Sequence, residues 1–227
     1  YPLALIAAKK IGAPVRWRGD RSEHFVADAH GRDNVTTMRM AMDDSGRFLA
    51  MDVHLIAAMG AYLNCFAPFI PTLGTSIATG VYDIPACRFH IKGVYTNTTP
   101  TDAYRGAGRP EAIYALERLV DKCALDMGMT PDEIRRVNAI APAQLPYTTV
   151  FGRMYDTGEF TGHLDKCLDE AEWSEIDARV AASKSNGILP AEYCQLILFF
   201  VFNFLNQFVN FFIILIIFIH HRNLILK

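Results

Sequence analysis

One stretch of this 227-residue chain places groups that could do chemistry close together: Ala103-Tyr104-Arg105-Gly106-Ala107-Gly108-Arg109-Pro110. Gly106 and Gly108 flank one small residue, two arginines bracket them, and Pro110 suits the first turn of a helix. Glycine lets backbone approach a ligand closely. Unpaired amides at a helix start favour anionic or oxygen-rich groups. Arginine can hold a phosphate or carboxylate through paired hydrogen bonds. The pattern is not a dinucleotide fingerprint, because the third glycine is missing, and no Gly-Lys-Ser/Thr makes it a Walker loop. On motif physics alone it is either a ligand-facing loop or a plain turn before a helix.

The elements around this loop read as mixed α+β. Leu3, Ile6, Ala7, Lys10 and Ile11 have helical spacing, with Gly12 as the C-terminal cap. Pro14-Val15-Arg16-Trp17 reads as a short strand and Asp20-Arg21-Ser22-Glu23 as a polar turn. Thr36 to Met42 and Phe48 to Met59 alternate about Asp43-Asp44-Ser45-Gly46, which predicts a β-hairpin. Its methionines are expected to fill core rather than ligate. Tyr62 to Ile84 reads as irregular, and Phe89, Ile91 and Val94 as a further strand. Ile113, Leu116, Leu119, Val120, Cys123 and Met127 form one face of a helix after Pro110. Thr130 and Glu133 have capping-box spacing for a short helix through Val137. Leu164, Cys167, Leu168 and Ala171 mark one more.

Bulk properties exclude some classes. Net charge is -2 and no long basic run occurs, so nucleic acid is not an expected partner. Cys65, Cys87, Cys123, Cys167 and Cys194 show no CxxC pair, so no zinc or iron–sulfur site is expected on this chain. They read as lone buried thiols in a reducing compartment.

Composition changes near Pro190. Gln195 to Ile219 is almost wholly apolar and holds eight of the 15 Phe. That length, about 25 residues, exceeds the ~20 needed to span a bilayer. Asn203, Asn206, Gln207 and Asn210 sit mid-span, where unpaired amides are costly. The stretch is a membrane helix, a buried core helix, or sequence mistranslated from A/T-rich codons; the last is preferred. Tyr1 is not Met and opens directly into a helical pattern, so the chain is expected to be a fragment.

The loop resembles the signature of molybdenum hydroxylase large subunits of the xanthine dehydrogenase, aldehyde oxidase and aerobic carbon monoxide dehydrogenase type, second form. Other stretches agree in order: Tyr1-Pro2 with its helix ending Ala8 to Gly12, Pro14 to Trp17, Asp20 to Glu23, His30-Gly31-Arg32-Asp33, Asp44 to Arg47, Gly60-Ala61-Tyr62, Tyr82 to Pro85, Thr96-Asn97, Arg135 to Asn138 and Tyr155 to Gly158. The likeness runs from residue 1 to 189 and stops. It implies a first molybdopterin-binding domain over 1–142, the start of a second over 143–189, and an out-of-family tail over 190–227.

The resemblance further implies a molybdenum-pterin cofactor, as molybdopterin or its cytosine dinucleotide. The metal would be held by the pterin rather than by side chains. Iron–sulfur clusters and FAD on partner subunits would carry electrons away. Tyr104, Arg105, Gly106, Ala107 and Gly108 would lie beside the molybdenum, with Arg105 and Gly106 presenting backbone amides and Tyr104 lining the wall. Glu23 falls where a substrate-orienting carboxylate is placed in xanthine oxidoreductases, or is an exposed turn glutamate. Gly106 stands where carbon monoxide dehydrogenases carry a copper-binding cysteine, so carbon monoxide is not the expected substrate. Ala107 stands where xanthine oxidoreductases carry a purine-stacking phenylalanine, and the arginine they carry shortly before the Tyr82 segment is missing, since Tyr62 to Ile84 contains none, so the resemblance does not imply a purine either. An aldehyde or aromatic heterocycle remains. A Gly-rich loop is expected before Tyr1, and the catalytic glutamate beyond the end of the likeness, so no residue here is expected to act as catalytic base. A cytoplasmic location is implied. The alternative is a membrane-anchored binding or assembly protein using the same domain.

Overall fold

The computed structural model describes residues 1–187. The expectations for the 190–227 tail lie outside the described residues. No helix among the described residues is long and apolar enough to cross a membrane.

The centre is a three-stranded sheet. β1 (Asn34–Met42) pairs antiparallel with β2 (Phe48–Gly60), which pairs parallel with β3 (Cys87–Tyr95). The predicted hairpin is present, closed by Asp43, whose carboxylate accepts the Ser45 and Arg47 N–H groups at 2.9 and 3.0 Å. Side chains alternate faces along each strand. Phe48, Met51 and Val53 point into the core, and Met38, Met40 and Met42 pack against it as predicted fillers. His54, Ile56, His90 and Lys92 lie on the open face.

The core is capped by α4 (Arg109–Met127), which buries Ile113, Leu116, Glu117, Val120, Cys123 and Ala124. That face repeats at helical spacing, as its sequence dictates. Leu116 is fully buried, where truncation to Ala costs about 2–5 kcal/mol. Gly128 ends the helix at φ 68°. Thr130 then starts α5 (Pro131–Asn138) with the expected capping box. The Asn138 side chain ties α5 to the hairpin: its Oδ1 accepts the Phe48 N–H at 2.7 Å, and its Nδ2 donates to the Gly46 carbonyl at 2.9 Å.

Beyond α5 come a short hairpin of β4 (Tyr147–Thr148) and β5 (Met154–Tyr155), then α6 (Phe160–Glu170) and α7 (Ile176–Ser185). Tyr155 and Phe160 enter the same core as α4, and the Tyr155 hydroxyl donates to the Gly80 carbonyl at 2.8 Å.

Four readings of the sequence are corrected. Pro14 to Trp17 is not a strand: no strand among the described residues pairs with it, and Trp17 instead packs edge-on against His24. Asp20 to Glu23 is not a turn but the start of α2 (Arg21–Ala27); Asp20 accepts the Glu23 N–H at 2.9 Å and Glu23 accepts the Asp20 N–H at 2.7 Å. Tyr62 to Ile84 holds α3 (Phe69–Thr75), which tolerates Pro71 because the amides of a first turn have no intrahelical partner. The cysteines are not all buried: Cys123 and Cys167 are, Cys87 is half-buried and Cys65 is exposed. The N-terminal helix α1 (Pro2–Ile11) is present and ends at Gly12, φ 71°. Neither α1 nor α2 buries a residue, and Leu3, Ile6, Ile11, Trp17, Phe25 and Val26 are exposed.

Candidate functional site

The loop leaves the sheet through a fixed base. Thr101 is buried and its hydroxyl donates to the Ala58 carbonyl of β2 at 2.9 Å. The chain at Pro100 to Asp102 runs beside His30: the His30 N–H donates to the Pro100 carbonyl and the Asp102 N–H to the His30 carbonyl, at 2.9 and 2.7 Å. The Asp102 carboxylate accepts the Ala103 N–H at 2.6 Å and the Phe66 N–H at 3.3 Å. This holds the segment before α3 against the loop.

From Tyr104 the backbone turns back on itself. The Ala107 N–H donates to the Tyr104 carbonyl at 2.7 Å, and the Arg109 N–H to the Gly106 carbonyl at 3.1 Å. Gly106, Ala107 and Gly108 have φ of 96°, 43° and 89°. Three successive positive values are costly for side chains with a Cβ, which is why two of the three are glycine. A Cβ on Gly108 would also lie 1.8 Å from the Ile70 carbonyl oxygen of α3, and one on Gly106 2.5 Å from the Pro110 ring. The glycines therefore let α3, the loop and the start of α4 close on one another.

All five predicted loop residues sit together at the start of α4. Tyr104 and Arg105 are exposed, Gly106 and Ala107 partly buried and Gly108 buried. The two bracketing arginines differ. Arg109 is turned inward, its guanidinium donating to the Gly106 carbonyl at 3.3 Å, whereas Arg105 is exposed. The helix start carries its own acid, Glu111 in the first turn. Glu111 faces Arg32, with Nε 3.8 Å from its Oε1, so the positive end of α4 is partly answered within the chain.

Glu23 lies elsewhere, at the start of α2, with one carboxylate oxygen engaged in the capping box. Its neighbours on α2, Arg21, His24 and Phe25, border a shallow cleft whose other side is His30, beside the loop base. Among the described residues no group of three or more His, Cys, Asp or Glu could hold a metal ion. What the loop offers a bound group is backbone: no hydrogen bond within the described residues engages the Gly106 N–H. A polar group rich in acceptor atoms fits such a donor, and the exposed Tyr104 ring can wall it.

Sequence reasoning missed two features. Arg32, whose motif matched the family but received no role, contacts the loop at the Arg105 carbonyl and the Tyr104 ring. The pair Glu117 and Arg135 forms a buried ion pair, 2.7 Å between Arg135 Nη2 and Glu117 Oε2, joined by the Tyr82 hydroxyl at 3.0 Å. The 18-residue separation of two charges gave no signal of their meeting.

Comparison with known proteins agrees with this arrangement. Residues 1–139 match the molybdopterin cofactor-binding domain. The carbon monoxide dehydrogenase large chain of Hydrogenophaga pseudoflava is 38% identical over 193 residues, covering 84% of this chain and 24% of that protein. The 6-hydroxypseudooxynicotine dehydrogenase complex subunit gamma of Paenarthrobacter nicotinovorans is 33% identical over 188 residues, covering 79% of this chain and 24% of that protein. The crystal structure of quinoline 2-oxidoreductase from Pseudomonas putida 86 superimposes with a TM-score of 0.76 at 32% identity, covering 82% of this chain and 24% of that one. This chain thus spans about a quarter of the length of the curated relatives it matches. With its loop before α4, its mixed sheet and these likenesses, the chain belongs to the molybdopterin cofactor-binding domain family of molybdenum hydroxylase large subunits, a family of oxidoreductases.

Proposed function

We propose that this chain is one part of a molybdenum hydroxylase large subunit acting on an aldehyde or an aromatic heterocycle, and that it supplies one wall of the active site. The carrying observation is the loop from Tyr104 to Gly108, folded back at the start of α4 with the Gly106 N–H unpaired among the described residues. In this reading residues 1–142 are the first molybdopterin-binding domain and 143–189 begin a second.

The cofactor is a molybdenum-pterin, either molybdopterin or its cytosine dinucleotide; when bound, it supplies the oxidation of an electron-poor carbon. The chain's own contribution is positioning and electrostatics. The Gly106 N–H donates to the group, Arg105 adds positive charge and the Tyr104 ring limits water. Gly108 and Ala107 shape the turn that presents them. Glu23 orients substrate with the carboxylate oxygen that the capping box leaves over. Gly106 offers no thiolate for copper, and Ala107 no ring for stacking a purine, which favours substrates other than carbon monoxide and xanthine.

Partners are subunits carrying FAD and 2Fe-2S clusters, in the cytoplasm. The large apolar side chains exposed on α1 and α2 support a neighbour there. Without the remainder of such a subunit, the chain is inactive and binds the cofactor weakly. Molybdenum analysis of the purified chain, and of the same residues within a full-length subunit, tests this. Metal is expected only in the second, and stoichiometric metal in the isolated chain overturns the weak binding.

A further inference from the structure

We infer that Arg32, between α2 and β1, is a positioning residue that sets the direction of the Arg105–Gly106 peptide and thereby aims the Gly106 N–H away from the protein's interior contacts. Its functional meaning rests on the role proposed above for the loop.

One guanidinium touches the loop at two places and faces the first turn of α4 at a third. Arg32 Nη2 donates to the Arg105 carbonyl. The guanidinium carbon lies 4.7 Å from the centroid of the Tyr104 ring. Nε stands 3.8 Å from the Glu111 carboxylate in the first turn of α4. The planar fork of arginine suits this combination, because it can stack and donate at once.

The consequence follows from peptide geometry. In a trans peptide the C=O and N–H point in opposite directions. A carbonyl of Arg105 held against Arg32 therefore sends the Gly106 N–H the other way, to where no acceptor among the described residues engages it. The loop needs such an external hold. Two glycines in three residues leave its backbone many alternatives, and a flipped 105–106 peptide would withdraw the donor.

Arg32 is itself held under strain. Its φ is 60°, uncommon for a side chain with a Cβ. It persists because both flanks are fixed: His30 exchanges hydrogen bonds with Pro100 and Asp102, and the Asp33 carbonyl accepts the Ala58 N–H at 3.0 Å. Gly31 gives Tyr104 its seat, since a Cβ there would stand 3.3 Å from the Tyr104 Cβ. The Arg32 side chain is 37% exposed, so it adds little to the core.

The test is amide hydrogen exchange, read residue by residue by NMR on the full 227-residue chain without cofactor, for the native protein, Arg32→Ala, Arg32→Lys and Tyr104→Ala. In Arg32→Ala the Ala107 and Arg109 amides are expected to exchange at least tenfold faster, with β2 amides and melting temperature unchanged. Arg32→Lys, which keeps the charge but loses the fork, is expected to behave like Arg32→Ala. Tyr104→Ala should give a smaller acceleration at the same two amides. Loop exchange within twofold of native, or equal acceleration in β2, overturns the inference. If Arg32→Ala does not fold, Arg32→Lys decides by the same two criteria. No cofactor enters this measurement, so it can succeed or fail independently of the molybdenum analysis.

Discussion

A side chain at Gly108 would meet the carbonyl oxygen of Ile70: the Cβ would lie 1.8 Å from it and 2.9 Å from its carbon. The relationship is nearly reciprocal, since a Cβ on Gly74 would come 2.6 Å from the Gly108 carbonyl. α3 and the loop therefore pack backbone to backbone. Gly108→Ala adds this clash to a φ of 89°. It is expected to cost at least about 2 kcal/mol, read as a shift in the urea midpoint without a change in slope. An unchanged midpoint would mean that α3 slides away freely.

Glu117 and Arg135 predict a different kind of loss. Their side chains are 2% and 1% exposed. Burial pushes the Glu117 carboxyl up from its ordinary value, opposed by the Arg135 charge, while Arg135, despite its own burial, is held protonated by the Glu117 and Asp121 carboxylates. Arg135→Met alone leaves a buried carboxylate and is expected to cost about 3–5 kcal/mol. Replacing both, as Arg135→Met with Glu117→Leu, is expected to recover much of that, because no fully buried charge is then left unpaired; Asp121, which is partly exposed, keeps Arg118 at 3.6 Å. Chemical denaturation of the two variants checks the order.

On the open sheet face, the Arg88 guanidinium donates to both Asp52 oxygens, at 2.8 and 2.9 Å, and holds the Asp52 carboxyl down at about 2. The folded value lies below the unfolded one of about 3.9. The contribution of Asp52 to stability is therefore complete above pH of about 4 and is lost as pH falls through about 2. Arg88→Ala should return the Asp52 titration, followed by carboxyl carbon NMR, toward its ordinary value.

The cysteines should separate by reactivity. Burial pushes the thiols of Cys87 and Cys123 up to about 11, so little thiolate forms at pH 8. Cys65 is exposed. Among the cysteines of the described residues, alkylation with peptide mapping should label Cys65 first and Cys123 only on unfolding. Early labelling of Cys123 would show that the seam between α4 and the sheet opens.

Local rules carried the sequence far where each residue's partner was near in the chain. Alternation about Asp43 to Gly46 specified the hairpin, the apolar face of Ile113, Leu116 and Val120 specified α4, and Thr130 with Glu133 specified the start of α5. The same rule was available at Asp20 and Glu23, which have capping-box spacing too, but the short α2 carries no buried face to announce a helix. The family resemblance was legible in the Ala103 to Pro110 loop, because three positive-φ residues before a helix demand those glycines locally.

The tertiary structure decided what depends on distant partners. The parallel pairing of β3 with β2, Asn138 reaching the hairpin, and Glu117 meeting Arg135 are contacts between residues far apart in sequence, and composition at either end does not encode the other. Arg32 is the clearest instance. It lies 73 residues before the carbonyl it holds, so its type gave charge but not an address. Which way the Arg105–Gly106 peptide faces is set by that contact, because backbone freedom at Gly106 leaves the choice to whatever packs against it.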